Sequence, residues 1–420
     1  MNASDGSPAL AQVLAALAAD PHNAIVQVLP VEAGSRRPGP LSGVPVVVKD
    51  LIDVVGVPTR CGSAIFADAE PARADAAVVA ALRMTGAVLV AKTHTHEFAY
   101  GPTGDVAAEG PCLNPHDPRL ITGGSSSGSA AAVAAGLVPL ALGTDTGCSV
   151  RTPAALCGVV GLKPSRGVLP TTGVFPLSET CDHVGLLGCD IGTVSLAFTA
   201  LTGHRIDLGA PVRGTVVGRP TAPYWRVHDP EIAAAVDRAA VTLACAGATV
   251  RDVSLPGIEE LAATYPVIVG TEAYATHARW LDQRSGDYQP ATATRLRAAA
   301  THTATAYVTA QRTRRRLAAE LTIQLLAQGV DLLLLPTTPL RATPIGAEQV
   351  DAPDGRRVAV RPALLSLTLP FNLLGWPAVS VPAPGVRGLP AGVQLAAIQG
   401  GEQLILTAAA KIATTDVATG

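Results

Sequence analysis

GGSSSGSAAAVAAGLVPLALGTDTGCSVRTPAALCGVVGLKPS, residues 123–165, decides how this chain folds. A Gly-Ser loop opens it and runs into alanines that predict a helix over 126–136, ended by Gly136. LVPLALGTD (137–145) then predicts a strand with Pro139 near its start, where a missing N–H is tolerated. A second Gly/Ser turn, GTDTGCSVRTPA (143–154), follows, and GVVGLKPS (158–165) predicts the next strand. Taken alone, the first loop could be a flexible linker or a backbone cradle for an anion. Its place before a helix, inside the most apolar part of the chain, favours the cradle, because a helix N-terminus presents free N–H groups and a positive dipole end.

The flanking sequence repeats the alternation of strand and helix. VPVVVK (44–49) and AVLVAKT (87–93) are apolar and largely β-branched, so they predict buried strands. Residues 9–19 and 74–84 have helical spacing, and 94–124 is a long loop rich in Gly, Pro and Asn. This is the pattern of an α/β fold with a largely buried sheet. From 205 to 330 the character turns mainly helical, with Ala-rich patterns over 230–246, 258–283 and 290–327 and one strand, ATVRDVSL, among them. VDLLLLPTT (330–338), PAVSVPA (377–383) and AGVQLAAI (391–398) are late strands. No repeat and no linker appears, so residues 1–420 are expected to form a single domain.

Composition narrows the function classes. The chain has 420 residues, 48% hydrophobic and 15% charged, with net charge −2. That suits a compact globule and excludes a disordered chain. Bulk charge gives no sign of nucleic-acid binding. The one basic cluster, RTRRR (312–316), reads as a solvated helix face. Seven cysteines lie scattered with no CxxC, so neither a zinc site nor a disulfide framework is expected, and free thiols imply a reducing compartment. The first 20 residues lack a basic n-region, and no apolar run of roughly 18 residues escapes Gly and Pro. A cytoplasmic protein with no membrane association is expected. Ala-rich, Lys-poor usage hints at a bacterial source.

Two positions then carry chemistry. Ser149 sits on a tight turn after a predicted strand, where nucleophiles are presented, although the lipase-type GxSxG is absent. A P-loop is excluded, since no GK[ST] follows the first loop. None of the nine histidines has an acidic partner by spacing. A lysine can serve as base if burial keeps it neutral. Lys49 ends an apolar strand and is followed by Asp50. The residues alone leave two readings open, a desolvated base or a strand cap paired with Asp50.

These stretches together resemble the amidase signature family. The match runs through GVPVVVKDLIDVVGVPT (43–59), VAKTHTHEFAYGPTG (90–104), NPHDP (114–118), the opening stretch (123–165), DHVG (182–185), LLLPTTP (333–339), PFNLLGWPAVSVP (370–382) and GLPAGVQL (388–395). The family core is thus expected over about 40–190 and 330–400, with 205–330 variable. The resemblance implies a mixed, twisted β-sheet covered by helices on both faces. It also implies an amidohydrolase with a Ser–cisSer–Lys triad. Ser149 matches the nucleophile, Ser125 the serine after a cis peptide, and Lys49 the lysine that accepts the proton through Ser125. Backbone N–H groups of Thr146, Gly147, Cys148 and Ser149 are expected to hold the oxyanion. Gly123, Gly124, Asp145 and Arg151 are expected to support the loops, and Glu97 and Asp182 to be structural. No metal or cofactor is needed. A homodimer is the family's suggestion.

Three departures stand out. Cys148 replaces the more usual Gly and would be strained if that position needs positive φ. Ser127 replaces a Gly in the first loop. Lys49 comes early, so the N-terminal arm is short and the pocket is expected to be more open or to lean on a partner. Tyr100, Gly101, Phe175, Tyr265, Tyr274 and Trp280 are candidate pocket residues. The expected reaction is hydrolysis of a small carboxamide through an acyl-enzyme. The alternatives are the glutaminase subunit of a tRNA-dependent amidotransferase, a urea-type (allophanate or carboxybiuret) hydrolase, and a member that has lost catalysis.

Overall fold

The computed structural model describes residues 6–31, 37–221 and 223–413. Eleven strands form one mixed sheet. Across it they run Ile25–Val28, Val88–Thr93, Pro45–Lys49, Leu140–Thr144, Val184–Gly188, Val160–Lys163, Ala378–Pro382, Gly392–Ala397, Leu332–Pro336, Val216–Pro220 and Thr249–Val253. Pro45–Lys49 is parallel to both its neighbours. The last three strands are also mutually parallel. Between these groups every pairing is antiparallel.

Strand periodicity sorts the core onto two faces, because successive side chains point to opposite sides. Val46, Val48, Leu140, Leu142, Leu332 and Leu334 share one cluster. Helices Ala77–Met84, Ile191–Thr202, Pro230–Cys245 and Glu402–Ala413 cover that face. The intervening residues face the other way in two separate clusters. Val47 and Ala141 pack with helices Ser127–Ala134 and Arg151–Cys157. Leu333 and Leu335 pack with the helices Ile258–Arg284, Pro290–Ala299 and Ala304–Ala327. Lys49 follows Val48 and so points to this second face. Helices therefore cover both sides of a mixed sheet, as expected. None of the described helices is long and apolar enough to cross a membrane.

Several details differ from the sequence reading. The 94–124 loop contains a small antiparallel pair, Leu113–Asn114 with Asp117–Ile121. The 290–327 pattern is two helices, because Thr303 caps a new start by accepting from the Ala306 N–H. Three strands of the large sheet lie outside the expected set, the edge strand Ile25–Val28 among them. Val184–Gly188 offers only a short apolar run, and Val216–Pro220 lies in the section that reads as helical. The RTRRR cluster is not wholly a solvated face. Arg316 is exposed and pairs with Glu260 and Glu320, but Arg314 is buried and donates to the Leu373 carbonyl at 2.6 Å.

Candidate active site

Lys49 ends its strand inside the molecule, fully buried. Its Nζ donates to Ser125 Oγ at 2.6 Å and to Thr144 Oγ1 at 2.8 Å. Burial lowers its pKa to about 7, against the pull of the Asp145 and Asp182 carboxylates. Asp50 does not pair with it. That carboxylate meets Lys92 at 3.0 Å, which removes the strand-cap reading. The physical reason is strand geometry: neighbouring side chains diverge to opposite faces.

Ser125 is reached through a cis peptide bond from Gly124. Gly124 has no room for a side chain, since a Cβ there would lie 2.7 Å from the Gly104 nitrogen. The other serines of the loop are engaged in building it. Ser126 Oγ donates to the Thr144 carbonyl and accepts from the Thr144 N–H, each at 3.2 Å. Ser127 Oγ lies 2.8 Å from His94 Nδ1. Ser129 Oγ donates to the Leu142 carbonyl at 2.9 Å. Of the four, Ser125 is the one bonded to Lys49.

The second loop carries Ser149 between the strand Leu140–Thr144 and the helix Arg151–Cys157. Asp145 and Arg151 form a fully buried ion pair at 2.9 Å beneath it. Burial pushes the Asp145 carboxyl up, but Arg151 overcomes this and holds it well below the ordinary range. Asp145 Oδ2 also accepts from the Val150 N–H at 3.1 Å, closing the turn. Asn372 donates to the Asp145 carbonyl and carboxylate at 2.8 and 2.9 Å. Arg151 continues to the Thr368 carbonyl and to Gln394 Oε1. Asp182 accepts from Thr146 Oγ1 at 2.6 Å and from the N–H groups of Leu177 and Ser178. Glu97 accepts from Ser63 Oγ and the Gln289 N–H.

The Ser126 N–H donates to the Ser149 carbonyl at 3.1 Å, which draws the two loops together. Among the described residues, the backbone N–H groups of Thr146, Gly147, Cys148 and Ser149 have no hydrogen-bond partner. Four fixed donors beside a serine are what a developing oxyanion needs. Gly147 is tied to this shape, because Tyr265 Oη fills the space that a Cβ would take. Cys148 is not strained: the non-glycine residues at positive φ are Asn23, Cys61, Phe98 and Ala99 among those described. Burial pushes its thiol up to about 12, so it is no thiolate at neutral pH.

Ser149 opens on a narrow cleft lined by Tyr100, Gly101, Leu177, Tyr265, Arg361 and Leu365. A wider, more open chamber adjoins it and shares Tyr100, Tyr265, Arg361 and Leu365. Three of the expected pocket residues, Tyr100, Gly101 and Tyr265, are therefore at the cavity. Phe175 and Trp280 instead join a ring cluster with Phe66 and His277, and Tyr274 packs on the core. Sequence reasoning missed Leu177, Arg361 and Leu365, which no motif or turn signal marks.

A family model described as Amidase matches residues 11–406. AtzE of Pseudomonas sp. (strain ADP), a 1-carboxybiuret hydrolase subunit, is 38% identical, the match covering 90% of this chain and 85% of that protein. A glutamyl-tRNA(Gln) amidotransferase subunit of Symbiobacterium thermophilum is also 38% identical, the match covering 87% of this chain and 81% of that one. A solved amidase superposes with a TM-score of 0.88 at 37% identity, covering 97% of this chain and 95% of its own.

Proposed function

The chain belongs to the amidase family and is an amidohydrolase, and from that premise we propose that it cleaves the C–N bond of a small linear carboxamide through an acyl-enzyme on Ser149. In this proposal neutral Lys49 takes a proton through Ser125 as Ser149 Oγ attacks the carbonyl. The oxyanion forms against the N–H groups of residues 146–149. The relay returns its proton to the leaving amine, and water then releases the acid. The observation that carries the reading is the buried 2.6 Å contact between Lys49 Nζ and Ser125 Oγ, with a lysine pKa near neutrality. A lysine at the ordinary value would be protonated at neutral pH and unable to act as base.

The relatives support two narrower readings. Similarity to a carboxybiuret hydrolase favours a urea-type amide. Similarity to a tRNA-dependent amidotransferase favours glutamine as ammonia donor for a partner. Ammonia release over a panel of primary amides, with glutamine, asparagine, allophanate and aryl amides included, separates them. Wild type and Ser149→Ala are run in parallel. Release that falls by about 10⁴-fold in the variant is expected. Equal release from both proteins overturns Ser149 as nucleophile. Turnover of glutamine only in the presence of a co-purifying chain supports the amidotransferase reading.

A further inference from the structure

Glu272 stands half-way along the helix Ile258–Arg284, in the section that supplies no residue of the proposed triad. It lines neither the cleft nor the chamber beside Ser149. Its carboxylate nevertheless gathers five hydrogen bonds. Ser178 Oγ donates at 2.6 Å, Thr180 Oγ1 at 2.8 Å and the Thr180 N–H at 3.1 Å. Tyr307 Oη and Gln311 Nε2, from the helix Ala304–Ala327, donate at 2.8 and 3.3 Å. Among the described residues no cation lies within ion-pair distance of it. Arg314 and Arg166 instead donate to the Thr180 carbonyl, at 2.8 and 2.5 Å.

The loop held in this way leads to the nucleophile turn. Just beyond Thr180, Asp182 accepts from Thr146 Oγ1 at 2.6 Å. It also accepts from the N–H groups of Leu177 and Ser178, at 2.9 and 3.0 Å. Ser178 is thus bonded through its hydroxyl to Glu272 and through its N–H to Asp182. Asp145 and His183 exchange backbone bonds at 2.8 and 3.1 Å, which sets the far end of the loop against the start of the turn. Thr146 supplies the first of the four free N–H groups beside Ser149, and Leu177 lines the cleft. A continuous path of hydrogen bonds therefore joins the helical section to the groups proposed to receive the oxyanion.

A carboxylate suits the first link of this path for a specific reason. It only accepts, and bonds to a charged acceptor are stronger than neutral ones. The donors of Ser178 and Thr180 are drawn to one place. An amide of the same shape would set its NH2 group against some of them. Oxyanion donors gain their effect from being fixed before charge develops. We propose that Glu272 is a positioning residue for the reaction, which through Ser178, Thr180 and Asp182 fixes Thr146 and the oxyanion-binding turn. The inference rests on the reading of Ser149 as nucleophile.

Labelling by an alkyl fluorophosphonate tests this, because attack by Ser149 puts charge on the phosphoryl oxygen as it would on an amide carbonyl. The labelling rate at saturation is separated from the half-saturating concentration. Glu272→Gln is expected to lower the saturating rate about tenfold and to change the half-saturating concentration by less than about twofold. Thr146→Val, which keeps the backbone N–H and loses the bond to Asp182, is expected to do the same. The double variant is expected to lose no more than about twofold beyond either single variant, because both cut one path. Thermal melts give the folded fraction of each protein. An unchanged saturating rate per folded Glu272→Gln molecule overturns the proposal, whatever happens to the melting temperature. So does a loss confined to the half-saturating concentration, and so do losses that multiply in the double variant. Should Glu272→Gln fail to fold, Ser178→Ala takes its place in the same cycle with the same expectations. Failure of the Ser149 reading shows separately, as wild-type protein that takes no label or as label that persists in Ser149→Ala.

Discussion

Lys49 and Lys92 lie on adjacent strands, one residue out of step, and both are fully buried. The offset turns them to opposite faces of the sheet. On one face Lys92 Nζ meets the Asp50 carboxylate at 3.0 Å, the Ile52 carbonyl at 2.7 Å and Thr59 Oγ1 at 3.2 Å. On the other, Lys49 Nζ meets two hydroxyls and no carboxylate. A hydroxyl accepts a hydrogen bond from an ammonium but brings no charge to offset the lost hydration. The same residue type at the same depth is thus a structural cation in one place and, in the proposed relay, a proton acceptor in the other. Partner chemistry makes the difference, since burial is equal.

The largest test of this contrast exchanges both lysines. Lys49→Met is expected to lower kcat/KM by about 10³- to 10⁴-fold while the protein keeps its fold and melting temperature. Lys92→Met is expected to do the reverse. It strands a buried carboxylate, costing about 3–5 kcal/mol of stability, and leaves turnover per folded molecule within about threefold. Thermal melts and active-site titration of both variants check this. A folded Lys92→Met protein with no turnover would break the comparison.

Asp145→Asn extends it to the other buried cation at the site. Arg151 would lose its countercharge, and a loss of about 3–5 kcal/mol by denaturant titration is expected. The pH profile gives a smaller effect. The folded pKa of Lys49 lies below its ordinary value, so the neutral form is present above about pH 7 and lost below it. kcat/KM should therefore fall about tenfold per pH unit on the acid side. The same shift means that the folded state sheds a proton the unfolded chain keeps. This lysine's burden on stability accordingly grows as pH falls from about 10.5 to about 7, then levels off. A flat rate profile down to about pH 5 would count against Lys49 as base. The smallest expected effect is from Cys148→Gly. With no positive φ to relieve and an inert thiol, turnover should change by less than about threefold.

Much of this architecture was legible because local chemistry coincided with the global fold. VPVVVK and AVLVAKT announced buried strands, and the turn chemistry around Ser125 and Ser149 announced loops at strand and helix ends. The assignment of roles came from the order of long motifs, which no single spacing would have supplied. The pairing of Asp50 was misleading in one dimension: adjacency along a strand separates side chains in space. Arg314 reads as surface because its neighbours are charged, yet the carbonyls that hold it come from residues 180, 372 and 373. Glu272 left no trace at all, since its meeting with Ser178 and Thr180 depends on the packing of a long helical section against the sheet.

The ties of Arg151 bear on how the protein is made. The residues that hold this arginine, Thr368, Asn372 and Gln394, follow it by more than 200 positions. A ribosome therefore exposes Ser149 well before the groups that set its turn have been translated. Until then the ion pair beneath Ser149 lacks the groups that hold it, and the N–H groups beside it lack a fixed direction. Synthesis itself then acts as a delay line: in the proposed reading, reactivity at Ser149 waits for the closing strands of the sheet.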